Sequence, residues 1–204
     1  MGSGRNALQL ATLAAGCVPL LLLLARAARG DLGANPIEEI THATGGWALG
    51  FLLISLAVTP ARKLTGLARL APLRRTVGLI AFAYACLHFL TWLALDQFFD
   101  WRAMWEDVQE RRFITAGFAA LLCLLPLAAT STRGWMRRLG RRWLQLHRLA
   151  YAAATLGVLH FIWLVKADLL EPLLFAAALA VLLGIRAWGG LSRHRAFTGK
   201  AQAR

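Results

Sequence analysis

Charged residues are scarce in this chain of 204 residues, because Asp, Glu, Lys and Arg make up only 16% of it while 58% is apolar. A soluble globular domain carries about 25% charged residues, so the composition argues against that class and indicates a membrane protein. Acidic residues are scarcer still, 10 against 23 basic ones. The net charge of +13 also occurs in nucleic-acid-binding proteins, but here the basic residues separate long apolar runs. We therefore expect no nucleic acid partner.

Cysteine is also rare. Cys17, Cys86 and Cys123 lie singly inside apolar runs, with no C-x-x-C pair. Neither a disulfide framework nor a thiolate metal site is indicated, and we expect buried free thiols. The sequence also lacks nucleotide-phosphate loops of the G-x-G-x-x-G or Walker type and has no acidic residue inside its apolar runs. Bond-making chemistry on a substrate is therefore not indicated.

Long apolar runs dominate what is present. A bilayer core about 30 Å thick needs about 20 helical residues, and five runs meet that length. A sixth run, 172–185, is shorter, but Arg186 can snorkel and Trp188 can anchor its end at the headgroups. We predict an all-α integral membrane protein, a bundle of six transmembrane helices in a single domain over residues 1–204. The predicted helices are 6–26, 40–60, 75–95, 113–132, 144–165 and 170–188, followed by a basic cytoplasmic tail, 189–204.

The distribution of charge predicts the orientation of these helices. All 10 acidic residues lie in alternate connecting segments, and 17 of the 23 basic residues lie on the opposite side. The positive-inside rule places the Arg-rich side in the cytoplasm, so both termini are expected there. The first run, followed by Ala25-Arg26-Ala27, also resembles a signal peptide, but its uncharged length exceeds the ~7–15 residues of such a core and favours a retained helix. No repeat of fixed period is evident.

Two histidines lie deep inside predicted spans, where ionisable residues are rare and usually functional. His88 follows Arg75 by 13 residues on the third helix, and His160 follows Arg148 by 12 on the fifth. Both helices run from inside to outside, so the two imidazoles lie about 20 and 18 Å from the cytoplasmic ends and nearly level. Two level histidines on separate helices are the bis-axial arrangement that holds a b-type haem.

Small residues accompany both histidines. They leave room for a flat macrocycle, or alternatively they only let helices approach each other. On the His88 face they are Gly78, Ala81, Ala85 and Thr91, and on the His160 face Ala153 and Gly157.

His147 and His42 are further candidates. His147 precedes His160 by 13 residues, which leaves the two about 140° apart on an ideal helix. The residue 14 before His88 is Arg74, so a second haem near the cytoplasmic side lacks its obvious opposite ligand. His147 is a candidate to bind a haem propionate, a quinone, a flavin or lipid headgroups. His42 is a candidate to contact quinone, a propionate or an outside partner, or is a plain interfacial residue.

Four motifs carry a family resemblance: HATGG at 42–46, CLHFL at 86–90, TSTRGWMRRLGRRWLQLHRLAY at 130–151 and LHFIWLVK at 159–166. Together they resemble the haem-binding membrane subunit of the periplasmic methionine sulfoxide reductase system, the MsrQ (YedZ) family, over residues 8–190. That family belongs to the ferric reductase-like transmembrane superfamily, in which two helices each carry two histidines 13 or 14 residues apart and hold stacked haems.

The resemblance implies sites and cofactors. Its haem-linked positions fall on His88, His147 and His160, with Arg74 at the place of the missing fourth histidine. It implies haem b, with the count of one or two left open, and an FMN. The FMN phosphate has candidate ligands that alternatively serve only as topology determinants: Arg74, Arg75, Arg141 and Arg142.

The resemblance also implies a role. The chain would be an electron-transfer subunit of the bacterial inner membrane, in contact with lipid, and not the catalytic subunit. It would pass electrons from the quinone pool or a cytoplasmic flavin reductase to a periplasmic molybdopterin-containing subunit that repairs oxidised methionines. The outer segment around Glu106 and Asp107 is a candidate docking surface. The alternatives from the residues alone are a transporter with a histidine relay and a cofactor-free membrane scaffold.

Overall fold

The computed structural model describes residues 2–165 and 167–202, and the side chains of residues 6–165 and 167–188. His194 and the rest of the predicted tail carry no described side chains. The described chain is helical and contains no strand. A 3-10 turn, Ala68–Leu70, precedes α3, and a π-turn, Trp92–Asp96, follows it. The α-helices are α1 (Gly2–Ala28), α2 (Pro36–Thr65), α3 (Leu73–Thr91), α4 (Trp101–Glu110), α5 (Arg112–Ala129), α6 (Arg133–Leu139), α7 (Arg141–Leu146), α8 (Leu149–Leu164) and α9 (Leu170–Gln202).

The all-α prediction is confirmed, with a difference in the fifth and sixth helices. Five helical stretches of the described chain are long and apolar enough to cross a membrane, including Leu170–Trp188, which contains the run expected to be short. The predicted helix 144–165 is instead interrupted at His147 and Arg148, so α8 has 16 residues. The predicted end of the last helix at 188 also falls inside α9, which continues to Gln202.

Two helix pairs form the centre of the bundle. α2 packs mainly on α3, and α5 packs mainly on α8. Small residues let these helices approach closely, as shown by Ala81 and Ala153, which are both fully buried. The core contains Leu49, Leu52, Leu53, Leu56, Ala81, Leu124, Leu127, Ala150, Ala153, Ala154, Val158 and Leu179. Ala81 and Ala153, two of the small residues considered beside a macrocycle, are therefore part of the helix packing.

The three cysteines are free thiols, but the expectation that all are buried is wrong. Cys17 is exposed, and Cys86 and Cys123 are half-buried. In a membrane protein an apolar run predicts contact with lipid as well as burial in the protein core.

Helix α1 is tied to α3 by a tyrosine that enters its backbone ladder. The Leu20 N–H donates to the Tyr84 hydroxyl oxygen at 3.0 Å, and the same hydroxyl donates to the Gly16 carbonyl at 2.9 Å. In a regular helix the Leu20 N–H would donate directly to the Gly16 carbonyl. Pro19 lies inside this turn, and an inserted side chain is a known cause of a kink.

Helix α9 is tied to α2 by Arg186. Its guanidinium donates to the Leu56 carbonyl at 2.7 Å and to the Tyr151 hydroxyl, and it lies 4.8 Å from the Tyr151 ring centroid. The expectation that Arg186 snorkels to the surface is therefore wrong. The physical reason is Pro60, which has no N–H and leaves the Leu56 carbonyl without its helical donor.

Candidate haem centre

His88 of α3 and His160 of α8 lie side by side. Their ring centroids are 5.9 Å apart and the ring planes make an angle of 79°. The distances along the two helices predicted that His88 and His160 lie at the same level. In the structure their imidazoles lie next to each other. His42 lies near the start of α2 and is exposed.

A backbone carbonyl fixes each ring. The Nδ1 of His88 lies 2.9 Å from the Thr41 carbonyl oxygen, and the Nδ1 of His160 lies 2.6 Å from the Phe113 carbonyl oxygen. A carbonyl only accepts, so Nδ1 carries the proton and Nε2 keeps its lone pair. Histidines that bind a metal have this second contact, which orients the ring and makes it a better ligand.

Two glycines let the rings reach those carbonyls. A Cβ atom at Gly45 would lie 2.9 Å from His88 Nδ1, and one at Gly117 would lie 2.7 Å from His160 Nδ1. Both distances are shorter than real Cβ contacts, so any side chain at either position would displace the ring. The sequence reasoning did not identify these glycines, although Gly45 lies in the HATGG motif.

The two halves of the site repeat each other. The accepting carbonyl, the glycine and the histidine are at Thr41, Gly45 and His88 in one half, and each has a counterpart 72 residues later. Buried core residues are related by the same shift of 72 residues, for example Ala81 and Ala153. No repeat was expected from the sequence. The functional atom at Thr41 and at Phe113 is a backbone carbonyl oxygen, so the side chains at the two positions can differ. The repeat is parallel, unlike the inverted repeats common in transporters.

The residues fit a bis-histidine haem. Among the described residues no group of three or more His, Cys, Asp or Glu side chains could hold a bare metal ion. Two histidines suffice for an iron already held by four porphyrin nitrogens. With metal–nitrogen bonds of about 2 Å, two imidazoles on one metal have centroids about 6 Å apart, close to the separation seen here.

His147 lies away from this pair, at the Arg-rich end of the bundle. Its ring stacks on Trp143 with centroids 3.8 Å apart, and its Nδ1 lies 3.1 Å from the Trp143 carbonyl oxygen. His147 and Arg74 line one cavity of about 1550 Å³. Arg69, Arg75, Arg133 and Arg148 also line it, and no acidic residue does. The cavity therefore suits an anionic ligand.

The 13-residue step from His147 to His160 is not a regular helix. Arg148, Ala150 and Tyr151 donate their backbone N–H groups to carbonyls three residues earlier, at 3.1, 3.4 and 3.0 Å. Such a 3-10 turn advances about 120° per residue, against about 100° in an α-helix. The overwinding shown by the Ala150 and Tyr151 hydrogen bonds therefore brings the angle between the two histidines below the ideal value of about 140°. The ideal-helix assumption therefore overstated how far His147 points from the His160 face.

The segment around Glu106 and Asp107 forms an amphipathic helix, α4. Trp101 and Trp105 are 69% and 65% exposed. The two carboxylates considered for docking already have partners, since Glu106 pairs with Arg102 at 3.1 Å and Asp107 pairs with Arg111 at 3.0 Å.

Comparisons with known proteins place the chain in a family. The model of the ferric reductase-like transmembrane component matches residues 44–158. A protein-methionine-sulfoxide reductase heme-binding subunit MsrQ of Rhodospirillum rubrum is 55% identical over 188 residues, which cover 92% of this chain and 90% of the relative. The protein of the same name from Xanthomonas oryzae pv. oryzae is 56% identical over 80% of this chain and 75% of its own. No solved structure matches. The chain belongs to the ferric reductase-like transmembrane family and, within it, to the MsrQ subunits.

Proposed function

We propose that this chain is the haem b electron-transfer subunit of a methionine sulfoxide reductase system. Its relatives are named heme-binding subunits of protein-methionine-sulfoxide reductase. The observation that carries the proposal is the His88–His160 pair, in which each Nδ1 is engaged by a backbone carbonyl and each Nε2 is left for iron. A haem bound there supplies reversible one-electron chemistry.

The residues around the pair set the properties of such a centre. Thr41 and Phe113 hold the protons on Nδ1 and increase the electron donation of the imidazoles. Gly45 and Gly117 keep the rings against α2 and α5. The half-buried position within the bundle lowers the local polarity, which is one of the means by which a protein tunes a haem potential.

We further propose a multi-pass protein of the bacterial inner membrane with both termini in the cytoplasm. It has six spans: the five long apolar helical stretches together with α8, which is the fifth in chain order. The alternation of acidic and basic connecting segments supports this orientation. The His88–His160 pair then lies in the outer half of the membrane, near a periplasmic molybdopterin-containing catalytic subunit. Electrons enter from the quinone pool or from a cytoplasmic flavin reductase.

The Arg-rich cavity is proposed as a second cofactor site at the cytoplasmic end. His147 and Arg74 line it, and its volume of about 1550 Å³ is large enough for a haem or an FMN. Both cofactors carry anionic groups, which the arginines there would compensate. Arg75 also lines the cavity, whereas Arg141 and Arg142 are absent from its lining. Of the four arginines suggested by the sequence as phosphate ligands, Arg74 and Arg75 therefore keep that role in the proposal.

An absorption spectrum of the chain purified in detergent from iron-replete cells tests the proposal. We expect a strong haem band that shifts on reduction, and loss of most haem in His88→Ala and in His160→Ala. His194→Ala, in the basic tail, is the matched control and should keep the full spectrum. A colourless wild-type preparation would instead favour the histidine-relay transporter or the cofactor-free scaffold.

A further inference from the structure

Trp92 has a buried hydrogen-bond donor with no acceptor. Among the described side chains, just two buried nitrogen or oxygen atoms lack a partner, and one is the Trp92 indole nitrogen, Nε1. Burying an N–H without an acceptor is unfavourable, so such an atom in a native protein calls for a partner that binds there.

The position of Trp92 links it to the histidine pair. It follows His88 by four residues, which places it on the same face one turn further along the chain. The helix changes there to the π-turn Trp92–Asp96, a distortion that is frequent at functional sites. The Trp92 ring lies 5.9 Å from Phe89, which in turn lies 6.2 Å from Phe118 of α5. Trp92 thus lies next to a ring contact that joins α3 to α5.

The backbone carbonyls of the preceding helical turn already accept hydrogen bonds. The His88 carbonyl accepts from the Trp92 backbone N–H and from the Thr91 hydroxyl, the latter at 2.8 Å. The Phe89 carbonyl also accepts from the Trp92 backbone N–H. The free indole N–H therefore needs an acceptor from outside this turn of the helix.

We propose that the Trp92 indole N–H donates a hydrogen bond to a propionate carboxylate of the macrocycle held by His88 and His160. This inference rests on the proposed function. The rim of a b-type haem is otherwise apolar, so its two carboxylates are the acceptors that it brings to the site. A hydrogen bond to an ionised carboxylate is about twice as strong as one between neutral groups.

The rate of haem transfer to an excess of apomyoglobin tests the proposal. We expect Trp92→Phe to lose haem about tenfold faster than the wild type, because a charge-assisted hydrogen bond is lost. Trp163→Phe is the matched control, since Trp163 lies three residues after His160 and is 49% exposed, and it should lose haem at the wild-type rate. The haem midpoint potential of Trp92→Phe should fall, because the less compensated carboxylate favours ferric iron.

Haem dimethyl ester separates hydrogen bonding from packing. Its esters accept only weak, neutral hydrogen bonds, so Trp92→Phe and wild-type protein reconstituted with it should lose it at rates within about twofold of each other. An equal tenfold difference with both haems would show that Trp92 only packs, and would overturn the proposal. If Trp92→Phe fails to fold, the comparison of the two haems in the wild type still decides, since equal rates of loss would mean that no carboxylate is held.

The proposed function can fail separately. A wild type that binds no haem, or that keeps its haem in both His88→Ala and His160→Ala, refutes the haem centre itself. A wild type that binds haem through these histidines while Trp92→Phe matches Trp163→Phe in haem loss and in potential refutes only the role of Trp92.

Discussion

Arg186 of α9 donates a 2.7 Å hydrogen bond to the carbonyl oxygen of Leu56, which is the carbonyl that Pro60 deprives of its helical donor. A side chain of α9 thus supplies the donor that the Leu56 carbonyl of α2 lacks. Within a bilayer an unsatisfied carbonyl costs several kcal/mol, so helix breaks are tolerated where a neighbouring helix supplies the partner. The arginine is therefore coupled to the carbonyl that the proline leaves free, across 130 positions of sequence.

We predict that Arg186→Met lowers the free energy of unfolding by about 1–3 kcal/mol, as the loss of a donor to a buried carbonyl requires. Thermal unfolding in detergent measures it. Pro60→Ala restores the N–H that the Leu56 carbonyl lacks, so Arg186→Met should cost less in that background. An equal cost in both backgrounds would show that the arginine does not act through this carbonyl.

The two glycines under the histidine rings give a second prediction. Gly45→Ala and Gly117→Ala should each weaken haem binding about 10- to 100-fold, because the new methyl group pushes the ring from the carbonyl that orients it. Gly46→Ala is the control within the same motif, since nothing lies within 4 Å of a Cβ atom at that position. Titration of the purified apoproteins with haem compares them, and equal affinities for Gly45→Ala and Gly46→Ala would contradict the role of the close approach.

Much of this arrangement could be read from the sequence. Apolar length predicted the helices. The helical rise placed His88 and His160 at one level because each lies a similar number of residues from an arginine at the Arg-rich end of the bundle. Gly45 and Gly117 were missed because each contacts a histidine ring on another helix. Such a contact depends on how the helices pack, which the spacing of residues along one helix does not predict. The position of the Arg186 side chain was predicted wrongly because only its own helix was considered. Its guanidinium instead binds a carbonyl oxygen on α2.

Tyr84 gives a prediction about the first helix. Tyr84→Phe removes the hydroxyl that bridges Leu20 and Gly16, and should destabilise the packing of α1 on α3 by about 1 kcal/mol. Gly16→Ala should add to this loss, since a Cβ atom there would lie 2.7 Å from Ile80 Cδ1. Proteolysis of a site introduced near the start of α1 should become faster in both variants. Gly50→Ala, at a position with nothing within 4 Å, is the control, and equal rates in all three variants would argue against this contact.

The Arg-rich cavity gives the last prediction. The family resemblance puts Arg74 at the position where the wider superfamily is expected to carry a histidine, and Arg74 lines the same cavity as His147. If His147 can coordinate iron there, Arg74→His should complete a second axial pair and raise the ratio of haem to protein toward two. The pyridine haemochrome assay together with quantitative amino-acid analysis measures that ratio.

Arg69→His, in the same cavity but away from the superfamily position, is the control and should leave the ratio unchanged. Adding His147→Ala to Arg74→His should remove the gain, because an imidazole at position 74 alone holds only one side of the iron. A gain that survives in the double variant would place the second haem on other ligands.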